Sequence, residues 1–246
     1  MRIMLFGGTT EGRVLAGELA RRGHALTVAV ATPVGADELR GQLGQGATDV
    51  VLHVGRLDAR DMGEFVAGHE LCIDATHPYA CEASENIRQA CAKTGVPLRR
   101  VLRAASSEAG CIVVASADEA AAYLAQADGA VLLAIGAKEL DAFACLGPGR
   151  LVVRVLPTHE AIDACERLGV DRRNIIALMG PFTREFNELI MRERGIRWLV
   201  TKDGGRVGGF DEKVAAAREV GAEVILIARP DEAGVSVEEL LAELED

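Results

Sequence analysis

Aromatic side chains are scarce. They make up 4% of the chain, with a single tryptophan, so Ala, Val, Leu and Ile must fill whatever core is built. No apolar run approaches the ~20 residues that span a bilayer. Met1 leads straight into a strand pattern without the zones of a secretory signal, so a cytoplasmic protein with no membrane segment is expected. Basic residues are in deficit, 27 against 37 acidic, for a formal net charge of −10. Binding along DNA or RNA needs the reverse balance, which excludes nucleic acid as a partner and requires any polyanionic ligand to meet a local cluster of cations. The six cysteines include no C-x-x-C pair and no zinc-ligand spacing; no metal site is expected, and the thiols read as small core residues. Two enzyme signatures are also missing. No stretch reads G-x-x-x-x-G-K-[ST], so a P-loop is excluded. Neither tyrosine opens the Tyr-x-x-x-Lys of short-chain reductases, since Ala83 follows Tyr79 and Ala127 follows Tyr123 at that spacing.

What is present is a chain of 246 residues, 49% hydrophobic, in which short apolar runs alternate with amphipathic segments. That alternation predicts an α/β fold with mainly parallel sheets. Strands are expected near 2–6, 25–31, 49–54, 71–75 and 98–102, with helices starting near Thr10, Asp58 and Tyr79. A second series has strands near 111–114, 130–135, 151–155, 174–178, 197–201 and 223–227. Its helices are expected near 118–126, 138–145, 158–167, 183–194, 209–220 and 236–244. The small, polar stretch from Ala104 to Gly110 divides the two series, giving domains 1–104 and 105–246. Ala130 to Leu140 repeats the strand, glycine and helix-start order of the N-terminus.

The first apolar run meets Gly7-Gly8-Thr9-Thr10-Glu11-Gly12-Arg13. Glycines let backbone approach an anion, Thr9 or Thr10 can cap the following helix, and the helix N-terminus favours phosphate. The dinucleotide fingerprint G-x-G-x-x-G is only partly met, because Thr9 stands where the second glycine belongs. At the end of the second strand Thr32 occupies the region where an NAD site places a carboxylate, which favours NADPH over NADH. Further on, the fourth strand runs into Asp74-Ala75-Thr76-His77-Pro78-Tyr79. Pro78 suits the first turn of a helix and Thr76 or His77 its cap. Polar groups at the carboxyl end of a parallel strand lie where ligands bind. Gly180-Pro181-Phe182-Thr183 opens another helix, and Lys202-Asp203-Gly204-Gly205-Arg206 begins a glycine-rich cationic loop. Arg103 and Arg229 end two more strands.

Gly7-Gly8-Thr9 with Glu11, Gly55-Arg56-Leu57-Asp58, Asp74 through Ala80, Gly180-Pro181-Phe182 with Asn187, and Thr201-Lys202-Asp203 through Lys213 and Arg229-Pro230 together resemble the precorrin-6A reductase family. The resemblance runs in order over nearly the whole chain. Gly204 departs from it, since the family usually carries Ser there. It implies two Rossmann-like domains with an active-site cleft between them, and hydride transfer from a reduced nicotinamide to a corrin-precursor macrocycle in cobalamin biosynthesis. The aerobic branch uses metal-free precorrin-6A and NADPH; the anaerobic branch uses the cobalt form, with NADH possible. The partner is therefore a tetrapyrrole bearing many acetate and propionate carboxylates, while nothing in the sequence speaks to association of chains. Gly7, Gly8, Thr9, Thr10, Gly12 and Thr32 are expected to hold the cofactor, with Glu11 on a ribose hydroxyl or the helix cap. Arg13, Thr76, Arg103, Gly180, Phe182, Gly205, Arg206 and Arg229 are expected at the substrate. The proton that accompanies hydride addition would come from His77, Tyr79, Lys202, Asp203 or water. A different short-chain reductase and a non-catalytic nicotinamide sensor are the rival readings. The first lacks its Tyr-x-x-x-Lys signature, and the second gives no reason for the cationic loop.

Overall fold

The computed structural model describes residues 1–43, 49–103, 109–204, 209–229 and 232–245. It contains two α/β units, one formed by Met1–Ala104 with Pro230–Asp246 and the other by Ala105–Arg229. The expected boundary at 104/105 falls at the division, but the expectation that 105–246 forms one domain is corrected. Past 229 the chain returns to the first unit: Val235 bridges to Val101, and Leu240 is buried with Leu15 and Leu19. Arg22 donates to the Leu241 carbonyl at 2.9 Å, fixing the C-terminal helix beside the first one.

The first unit has a five-stranded sheet in the order β3-β2-β1-β4-β5. Its strands are β1 (Arg2–Phe6), β2 (Ala25–Val30), β3 (Val50–Val54), β4 (Leu71–Asp74) and β5 (Leu98–Arg100). The helices are α1 (Thr10–Arg21), α2 (Pro33–Leu43), α3 (Ala59–Val66), α4 (Cys81–Thr94) and, from the chain's end, α9 (Val237–Glu243). Alternation along β1 sends Ile3 and Leu5 to the α1, α2 and α9 side, and Met4 and Phe6 to the α3 and α4 side. Helix α2 is not anticipated by the sequence pattern. It buries only Ala36 and Leu39 and carries Gly35 and Gly41, so its apolar stripe is too thin to register. Helix α4 starts at Cys81, two residues after the expected Tyr79, because His77–Ala80 closes a turn of its own through the Ala80 N–H and His77 carbonyl at 2.8 Å.

In the second unit the order is β6-β11-β10-β7-β8-β9. Here β6 is Ile112–Val114, β7 Ala130–Ala134, β8 Leu151–Val155, β9 Ile175–Ala177, β10 Ile196–Lys202 and β11 Glu223–Ile227. Helices α5 (Ala117–Leu124), α6 (His159–Arg167), α7 (Arg184–Glu193) and α8 (Phe210–Glu219) cover it. The helix expected near 138–145 is a 3-10 segment, Leu140–Leu146. The echo of the N-terminus therefore stops at the glycine turn. Strand pairings among the described residues are all parallel. No helix among those residues is long and apolar enough to cross a membrane.

Candidate active site

In a parallel sheet, ligands bind beyond the carboxyl ends of the strands, where connections diverge to opposite faces. In the first unit that point lies between β1 and β4. The first leads to α1, while the second leads to α4 on the other face. Thr9 caps α1, its hydroxyl accepting from the Gly12 N–H at 3.1 Å and donating to the Ala75 carbonyl at 2.8 Å. One buried side chain thus latches the glycine turn to the end of β4. A glycine in its place could form neither bond, which accounts for the missing middle glycine of the fingerprint. Gly8 takes over the open position: its φ is +113°, and a Cβ there would meet no atom within 4 Å. Gly12 is the opposite case, since a Cβ on it would lie 3.1 Å from the Gly7 Cα. Besides the Gly12 N–H that Thr9 caps, the turn offers glycine backbone and the first-turn N–H groups of Thr10 and Glu11, the kind of donors that can meet a dinucleotide diphosphate.

The charged residues of the first turns of α1 point in different directions. Glu11 pairs with Arg103 at 2.8 Å, beyond β5, whereas Arg13 pairs with Glu38 of α2 at 2.6 Å and donates to Thr10 at 3.0 Å. Thr32 caps the start of α2, accepting from the Gly35 N–H at 3.2 Å. Next to it, the Gly55 N–H donates to the Val30 carbonyl at 2.9 Å, which brings the exposed Arg56 alongside the end of β2.

After β4, the Asp74 carboxylate accepts from the Thr76 N–H (3.0 Å), the Thr76 hydroxyl (2.7 Å) and Arg100 (2.9 Å). Arg100 also donates to the Thr76 carbonyl at 3.0 Å and to Glu232 at 3.0 Å. The buried Asp74–Arg100 pair thereby fixes the backbone from which His77 and Tyr79 project. His77 is exposed, with Nδ1 accepting from the Tyr79 N–H at 3.3 Å and its ring 5.6 Å from that of Tyr79.

The divergence point of the second unit lies between β7 and β10. Lys202 reaches Glu139, beyond β7, at 2.7 Å, and Asp203 pairs with Arg229, beyond β11, at 2.8 Å. Phe182 lies over the Arg154 guanidinium with its ring centroid 4.7 Å away, and Arg154 donates to the Asn187 side-chain oxygen at 2.7 Å. Burial pulls the Arg154 pKa down to about 10. Lys213, in the first turns of α8, is pulled down to about 8, first by burial and then by Arg154, against the opposing pull of Asp203 and Glu212.

A family profile described as precorrin-6x reductase CbiJ/CobK matches residues 2–245. The chain belongs to the precorrin-6x reductase family. It is 37% identical to the cobalt-precorrin-6A reductase of Priestia megaterium over 93% of this chain and 90% of the relative. Identity to the precorrin-6A reductase of Rhodobacter capsulatus is 34%, over 93% of this chain and 88% of that one. A solved structure described as CobK precorrin-6A reductase superposes with a TM-score of 0.79 at 31% identity, covering 100% of this chain and 97% of that one.

Within this family member, the structure brings Gly7, Gly8, Thr9, Thr10 and Gly12 together in one turn, with Thr32 at the neighbouring strand end. The capping role considered for Glu11 belongs to Thr9, and Thr76 caps no helix but bonds Asp74. Lys202, Asp203 and Arg229 converge at the ends of β10 and β11, and Gly180, at a cis bond to Pro181, carries Phe182 to Arg154. Gly205 and Arg206 lie outside the described residues. Arg56, Arg100, Arg154 and Lys213 have no role that their local sequence discloses. The available signal for Arg154 was an arginine inside the apolar run Leu151-Val152-Val153-Arg154-Val155.

Proposed function

We propose that this chain transfers a hydride from NADPH to a carbon of precorrin-6A or its cobalt form, yielding the corresponding precorrin-6B. The observation that carries this reading is the family match from residue 2 to 245, joined to a first sheet whose divergence point holds a bare glycine turn. NADPH, when bound, supplies the hydride. The chain's part is placement and electrostatics. Gly7, Gly8, Thr9, Thr10 and Gly12 would hold the diphosphate, while Glu11 and Arg103 stand on the β5 side of the turn. Arg13, assigned from sequence to the substrate, is better placed on the adenosine side, because its partner Glu38 lies on α2. Six free thiols support a reducing, cytoplasmic setting.

Preference for NADPH is supported by the absence of a carboxylate at Thr32 and by the cation Arg56 beside it. An Arg56→Glu variant is expected to weaken NADPH binding by about tenfold or more while changing NADH binding by less than about threefold, each followed by nicotinamide fluorescence. Equal effects on both nucleotides would place the 2′-phosphate elsewhere.

Among the proton-donor candidates His77 is the one we favour. It is exposed at the end of β4, with its ring 5.6 Å from that of Tyr79, and in the imidazolium form it carries a ring proton that it can give up. His77→Ala should lower kcat by about 100-fold, a typical loss for a general acid, and flatten its pH profile. Turnover unchanged between mildly acid and mildly alkaline pH would assign the proton to water or another group.

The test of the whole reading is incubation of the purified protein with NADPH and precorrin-6A, repeated with the cobalt form and with NADH. Macrocycle-dependent loss of nicotinamide absorbance is expected. Tight nicotinamide binding without turnover of either tetrapyrrole would favour a sensor instead.

A further inference from the structure

On the α7 and α8 side of the second sheet the core ends in a layer of buried charge. Val152 of β8 and Leu199 of β10 pack there with Met191, Phe210 and Val214. Two residues further along their strands, on the same face, stand Arg154 and Thr201, and Asp203 follows beyond β10. Asn187 of α7 and Lys213 of α8 complete the layer. Arg154 and Lys213 are each only 8% exposed.

Among the described residues the charges in this layer do not balance. Asp203 is engaged by Arg229, through its carboxylate at 2.8 Å and its carbonyl at 3.2 Å. Glu212 is partly buried beside Lys213, and one of its carboxylate oxygens is buried without a hydrogen bond. Among the described residues, three cations therefore share two carboxylates. Among the described residues Arg154 meets two neutral partners, the Asn187 amide oxygen and the Phe182 ring. A guanidinium carries five donors and an ammonium three, and burying either without an anion is costly. Asn187 in turn donates to the Phe182 and Thr183 carbonyls at 3.4 and 2.7 Å, which orients its oxygen toward Arg154. Such rigid support of an uncompensated cation suits recognition of an anion from outside the chain better than it suits packing.

We propose that Arg154 and Lys213, with Arg154 oriented by Asn187, form a subsite for one side-chain carboxylate of the macrocycle. The planar fork of Arg154 takes one edge of the carboxylate, and the Lys213 ammonium approaches as a point charge. The Phe182 ring covers the Arg154 guanidinium and Lys213 is itself buried, so both interactions act at lower dielectric than on an open surface. Lys213 is charged at neutral pH and loses its proton as pH rises through about 8, under the combined influence of burial, Arg154, Asp203 and Glu212. Carboxylate affinity should fall over that range.

The subsite rests on the proposed tetrapyrrole substrate, and two arms separate the failure of one from the failure of the other. In the first arm, Arg154→Gln and Lys213→Gln are expected to raise KM for the macrocycle by tenfold or more, with NADPH dissociation constants within twofold of the parent protein. Both variants folding, binding NADPH normally and keeping KM within twofold would overturn the proposal. The second arm needs no turnover. Propionate should raise the melting temperature of the unaltered protein, the neutral isostere propionamide should not, and the propionate effect should vanish in Arg154→Gln. Equal shifts from propionate and propionamide, or no shift from either, would count against the subsite even if the reductase activity is present. A propionate-specific shift lost in Arg154→Gln would sustain it even if no tetrapyrrole is reduced.

Discussion

Replacing Gly12 with leucine will cost this protein more than about 100-fold in NADPH affinity. A Cβ at this position lies 3.1 Å from the Gly7 Cα, 3.5 Å from the Ala75 Cβ and 3.7 Å from the Ala75 carbonyl oxygen. Two of those neighbours are backbone and the third is a methyl with no rotamer to change, so relief requires α1 to move off the ends of β1 and β4. That movement breaks the Thr9 hydroxyl's bond to Ala75 and turns the first-turn N–H groups away from a diphosphate. Gly17, five residues along the same helix, is the internal control. No atom lies within 4 Å of a Cβ built there. Gly17→Ala should therefore leave binding unchanged and raise stability by about 0.5–1 kcal/mol through helix propensity. Isothermal titration with NADPH, alongside thermal melts of all three proteins, separates lost binding from lost folding. A folded Gly12→Leu protein that binds NADPH as the parent does would show that the turn is not the diphosphate seat.

The largest loss of stability is expected from Arg100→Met. The Arg100 side chain is 11% exposed and that of Asp74 2%. Removing the guanidinium strands a buried carboxylate and leaves the Thr76 carbonyl and Glu232 without their donor. Breaking a buried pair from one side costs about 3–5 kcal/mol. In a chain of this size that corresponds to a fall of roughly 10 °C in melting temperature. Pairing the change with Asp74→Asn removes the stranded charge and should recover part of the loss. A single variant that melts within about 2 °C of the parent would mean that the pair contributes little net stability and that other contacts hold the His77 turn.

How far the sequence discloses the molecule varies with the kind of feature. Strands were placed to within a residue or two because each is a short apolar run closed by Gly, Pro or charge. The glycine turn after β1 was readable as a tight strand-to-helix turn for the same local reason. Helix α2 was not, since tertiary contact at Ala36 and Leu39 suffices to hold a segment with almost no apolar stripe. Partners were harder still. That Lys202 meets Glu139 and Asp203 meets Arg229 depends on strand order, which leaves no mark on the local pattern. Arg154 and Lys213 are ordinary surface residues by type, and only the packing of α7 and α8 over β8 makes them buried cations. The fate of residues 230–246 was equally opaque, because an amphipathic helix announces what kind of face it needs, not which sheet supplies it.

That returning segment changes how the molecule must be made. The second unit is an insertion within the first, entered after Ala104 and left before Pro230. On the ribosome, the unit begun first is therefore finished last. The face of α1 that Leu240 covers stays open until α9 has emerged, well after every strand of the second sheet. Damage to α9 would thus be felt in the half carrying the glycine turn, which lies more than two hundred residues away in sequence.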